Sequence, residues 1–136
     1  GPDLERIKLK IKDLNIDASV KFTGFVKDVD EFFEDVDILL FLSLAEGLPW
    51  TILEAQMKGV PCIASSVGGI PEIITDSYNG YLLKENSVNE ILQKMSLIIN
   101  QNTLQTLSEN ATKFAFKNYK KEIEINEIIN LYDKLL

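Results

Sequence analysis

At 136 residues the chain is long enough for one domain whose core needs no disulfide or metal. A composition of 46% hydrophobic and 26% charged residues excludes a disordered chain. With 14 basic against 21 acidic residues and a formal charge of −7, nucleic-acid phosphates and anionic lipid are disfavoured as partners.

Histidine is absent, so no imidazole can serve as a general base. Cys62, the sole cysteine, lies in the apolar stretch VPCIAS, which excludes an intrachain disulfide and a cysteine-rich zinc site and predicts a buried strand thiol. The longest apolar run, Ile38 to Leu42, is too short to span a bilayer, and the N-terminus has no signal-peptide pattern. A cytoplasmic location is the expectation.

In chain order, Leu4, Ile7, Ile11 and Leu14 recur at helical spacing and predict a helix over residues 3 to 14. VKFTGF alternates Val20 and Phe22 and predicts a strand closed by Gly24. VDEFFED offers a short helix, and the nearly continuous apolar run DILLFLS reads as a strand buried on both faces. After the loop AEGLP, the segment WTILEAQMKG is helical, with a proline at its start and Gly59 at its end.

PCIAS is the next buried strand. SVGG is a turn, IPEII a short helix with Pro71 in its first turn, DSYNG another turn and GYLL a short strand. From Val88 onward VNEILQKMSLII, LQTLSENATKFAF and EIEINEIINLYDKLL predict two or three closing helices. Strands alternating with helices imply an α/β fold, a Rossmann-like doubly wound parallel sheet with flanking helices.

Ligands of open parallel sheets bind beyond the carboxyl ends of the strands, which singles out AEGLP and SVGG. Glu46 lies in the first loop and Glu54 eight residues later on the following helix, so both carboxylates are candidates for one pocket. An ionised carboxylate accepts two hydrogen bonds from adjacent hydroxyls, which suits the sugar and ribose rings of a nucleotide sugar. The helix that starts near Pro49 aims unpaired N–H groups, from Trp50 and Thr51, at the same loop, where a diphosphate can be held without lysine. Gly68 and Gly69 admit close backbone approach and positive φ, so SVGG is expected to wrap around a ligand or a partner domain, and Glu72 is a candidate to cap or line the site. Equally, the glutamates fit solvated surface positions and the glycines ordinary turns.

The string SLAEGLPWTILEAQMKGVPCIASSVGGIPEIITDSYNGYLL resembles the C-terminal domain of the group 1, or family 4, retaining glycosyltransferases of GT-B fold. Its centre is the family's E-x7-E motif, from Glu46 to Glu54, followed by EA, a buried strand, GG and the acid Glu72. Upstream the likeness reaches VKFTGFV and the first helix, and downstream NEIINLYDKLL, so residues 1–136 resemble one partial nucleotide-sugar-binding domain, truncated at its N-terminal side.

The resemblance implies that Glu54 binds the donor ribose hydroxyls and Glu46 the transferred sugar. It further implies that loop N–H groups around Gly47, Leu48, Pro49, Trp50 and Thr51 hold sugar and phosphate, and that Phe25 and Val26 meet the base. Pro49 departs from a full set of donors because it has no N–H. The family transfers sugar from a nucleoside diphosphate donor with retention, generally without a metal or other cofactor, to glycan or lipid-linked acceptors. Its Arg and Lys pair that grips the diphosphate falls upstream of residue 1, and its acceptor domain lies elsewhere, so these 136 residues alone are expected to be inactive. The full-length enzyme is then a candidate for the cytoplasmic face of a membrane, and uncovered strand edges favour self-association of the chain by itself. A non-catalytic α/β binding module and another GT-B enzyme, such as a sugar epimerase, are the competing readings.

Overall fold

The structure, a computed structural model, describes residues 3–119. Three parallel strands, β1 (Leu39–Phe41), β2 (Cys62–Ser65) and β3 (Gly80–Leu83), lie in the order β1-β2-β3. Leu39 pairs with Cys62, and Cys62 with Gly80, so the register is continuous across the sheet. The described residues also form six α-helices, α1 (Leu4–Asp13), α2 (Val29–Glu34), α3 (Trp50–Met57), α4 (Ile70–Ile73), α5 (Val88–Ile98) and α6 (Gln101–Asn118). The predicted helix over residues 122 to 136 lies outside the described residues.

Strand alternation divides the core in two. On one face Cys62 and Ala64 of β2 pack with Ile52, Leu53 and Ala55 of α3 and with Ile70 and Ile73 of α4. On the other, Ile63, Tyr81 and Leu83 pack with Ile98 of α5 and Leu107 of α6. Both faces of the sheet are therefore covered, as a doubly wound fold requires. Each fully buried Leu or Ile contributes about 1.5–3 kcal/mol by leaving water. Burial also raises the Cys62 thiol well above its ordinary pKa and leaves it an inert apolar side chain.

Two strand expectations need correction. VKFTGF is not a strand: Val20 is extended, but no ladder partner meets the segment among the described residues, and without one β-favouring residues make no sheet. DILLFLS yields only a three-residue β1 that is half-buried, not buried on both faces. Leu39 and Phe41 reach the α3 side of the core, whereas Leu40 stays 45% exposed on the other face, where α5 packs chiefly on β2 and β3.

Helix punctuation follows the sequence. Gly59 sits beyond the end of α3 at φ +76°, where its N–H donates to the Gln56 carbonyl and that of Val60 to Ala55, a Schellman closure. Asp28, Ser87 and Asn100 cap α2, α5 and α6 with side-chain oxygens. Among the described residues no helix is long and apolar enough to cross a membrane.

Candidate functional site

The site is assembled where β1 and β2 end. Parallel strands and their crossover helices bring the loop after β1, residues 42–49, beside the turn after β2, residues 66–69. The contact between the two loops is backbone on backbone. Gly69 donates its N–H to the Gly47 carbonyl at 2.8 Å. A Cβ on Gly68 would overlap the Glu46 carbonyl, and one on Gly69 would come within 2.5 Å of the Gly47 oxygen. Both glycines are thus required by the AEG loop, and Gly68 also by its φ of +55°. The close approach that these glycines allow is made here to the neighbouring loop of the chain itself.

A second tie comes from a residue that the sequence did not single out. Ser65, the fully buried last residue of β2, accepts a hydrogen bond from the Ser43 N–H at 3.0 Å. Ser43 in turn donates its hydroxyl to the Ala45 carbonyl at 3.1 Å. A serine ending a buried strand is the one available signal, and it does not by itself name its partner.

Glu46 is half-buried between these fixed carbonyls, while Gly47 and Leu48 are exposed. Pro49 is buried and precedes α3, and its fixed φ of −74° starts the helix. No side chain caps that end, unlike α2, α5 and α6, so the first-turn N–H groups of Trp50 and Thr51 are left open. Trp50, Thr51 and Glu54 all lie exposed on one face of α3, because positions 0, 1 and 4 fall on the same side of a helix. The opposite face, with Ile52, Leu53, Ala55 and Gln56, is buried. Among the described residues the carboxylates of Glu46 and Glu54 make no hydrogen bond or ion pair, so both retain full accepting capacity.

The remaining candidates lie further out. Phe25 is 94% exposed and Val26 half-buried, on the segment that leads into α2. Glu72 does not cap α4, which has no side-chain cap, and its carboxylate instead lies near Tyr119, whose hydroxyl burial and then Glu72 hold above the usual tyrosine pKa. A concavity lined by Phe33, Asp37, Lys58, Gly59 and Ser108 sits at the opposite end of the strands, by the amino ends of β1 and β2, and holds none of the candidate residues.

A parallel sheet covered on both faces, with an open helix N-terminus and two unpaired carboxylates beyond its strand ends, defines a Rossmann-like α/β domain. A family model described as glycosyl transferases group 1 matches residues 1–114, and the chain belongs to that family. It is 30% identical over 137 residues, all of this chain, to N-acetyl-alpha-D-glucosaminyl L-malate synthase of Bacillus anthracis, of which it covers 36%. The C-terminal domain of a group 1 glycosyl transferase from Francisella tularensis superimposes with a TM-score of 0.78 at 29% identity, covering 88% of this chain and 65% of that one. Anabaena HepE in complex with UDP shares the fold, with a TM-score of 0.87 at 24% identity over 98% of this chain and 37% of that one. This chain spans about a third of the length of the curated relatives it matches.

Proposed function

We propose that these residues form the donor-binding domain of a retaining glycosyltransferase, one that moves sugar from a nucleoside diphosphate to a glycan or lipid-linked acceptor. The observation that carries this reading is the uncapped N-terminus of α3 held beside the free carboxylates of Glu46 and Glu54. The helix end attracts the diphosphate. Glu54, four residues into the exposed face, accepts from the ribose hydroxyls, and Glu46, on the loop, accepts from the transferred sugar. Phe25 and Val26 contact the base, and Gly47, Leu48 and Pro49 shape the phosphate-facing loop.

In this reading the domain binds donor and stabilises the leaving diphosphate, while the acceptor and further cations come from the rest of a longer, cytoplasmic protein at or near a membrane face. These residues alone then bind donor weakly and transfer nothing. Support comes from family membership and from HepE having been solved with UDP.

Calorimetric titration of the full-length protein with uridine, guanosine and adenosine diphosphates tests the proposal. Binding of at least one is expected, and binding of none removes it. For residues 1–136 alone an affinity weaker than micromolar is expected, because the charge-assisted contacts of further cations are missing.

A further inference from the structure

The Glu46 carboxylate stands on a loop and not on a helix or strand, yet the backbone on both sides of it is fixed. Ala45 accepts the Ser43 hydroxyl, Ser43 is itself anchored to buried Ser65, and Gly47 accepts the Gly69 N–H. The Glu46 carbonyl lies directly against Gly68, where no side chain fits. All but the Ser43–Ala45 bond within the loop come from the end of β2 or the turn after it, and none involves Glu54 of α3.

Resting on the donor-site reading above, we propose that Ser65 and Gly69 are positioning residues that set the Glu46 carboxylate for the transferred sugar and leave the diphosphate grip to α3. The physical reason is preorganisation. A charge-assisted hydrogen bond to a sugar hydroxyl is directional, and a loop free to move would spend much of it on ordering when the donor binds. Fixing the carbonyls on either side of Glu46 orders the loop in advance.

Gly69 gives a clean probe because its φ of −82° suits any L residue. Gly69→Ala therefore adds no backbone strain, only a methyl that must displace the Gly47 carbonyl, 2.5 Å away. Ser65→Ala removes the acceptor of the Ser43 N–H without adding volume, and it carries the test if Gly69→Ala does not fold.

The measurement is the affinity of the full-length protein for UDP-, GDP- and ADP-linked hexoses relative to the bare diphosphates. Each variant is expected to lower that ratio about tenfold, the size of one charged hydrogen bond, because the sugar-diphosphate loses more than the bare diphosphate does. In a Glu46→Ala background Gly69→Ala is expected to cost nothing more, since its effect runs through Glu46. An unchanged ratio in folded variants overturns the proposal, as does an undiminished Gly69→Ala effect in the Glu46→Ala background. A parent protein that binds no diphosphate at all fails on a different arm and takes the donor-site reading down together with its positioning residues.

Discussion

Glu46 and Glu54 differ in how the chain holds them, and that difference predicts different consequences of removing them. Glu54 stands on a helix whose opposite face is fully buried, so its direction is set by α3. Glu46 stands on a loop held by Ser43, Ser65 and two glycines. Glu54→Ala is expected to weaken diphosphate and sugar-diphosphate binding alike, by about 1 to 3 kcal/mol, through loss of a charged hydrogen bond. Glu46→Ala is expected to weaken only the sugar-diphosphate. Parallel titrations of the two variants with both ligands check this, and identical profiles would contradict separate tasks. A buried polar pair supports the same region from below. Gln56 of α3 and Asn79 both donate to the Ile73 carbonyl at 3.0 Å, and Asn79 also accepts the Thr75 N–H, so the two helices that flank the site share one fixed carbonyl.

Among the elements, α5 shows how one side chain joins a helix to the strand before it. The Glu90 carboxylate accepts the Lys84 N–H at 2.8 Å and that of Glu85 at 3.0 Å, which closes the turn after β3 onto the first turn of α5. These bonds, that of Lys84 first, hold its carboxyl below the usual glutamate range. With the folded value below the unfolded one, the stabilisation is present above the unfolded value and lost as pH falls through the folded one. Thermal melts of Glu90→Gln should therefore differ from the parent most at neutral pH and converge with it in acid. A difference that ignores pH would show that the charge is not what closes the turn.

The other elements divide by what they need. The end of α3 was legible in Gly59, which acts within one turn of the chain, whereas the caps Asp28, Ser87 and Asn100 emerged only with the structure. VKFTGF was misread for the opposite reason, since a strand is defined by its partner and propensity supplies none.

At the scale of the whole molecule stability is uneven. β2 lies between two core clusters with every residue buried, whereas α1 buries no residue and leaves Leu4, Ile7 and Leu9 exposed. Amide hydrogen exchange should be slowest in residues 62–65 and fastest among the helices in residues 4–13, since opening α1 gives up little buried surface. Protection of α1 equal to that of α3 would contradict this ordering.

The sequence by itself determined the alternation of strands and helices, the parallel sheet they imply and the two glutamates at the loop and on the helix, because periodicity, caps and the E-x7-E spacing are local and repeat along the chain. Only the tertiary structure decided that Gly68 and Gly69 close on the Glu46 loop, that Ser65 anchors Ser43 and that β1 is an exposed edge. Those contacts join residues about 22 positions apart through neighbouring strand ends, a proximity that exists once the sheet has formed and leaves no periodic trace in the chain.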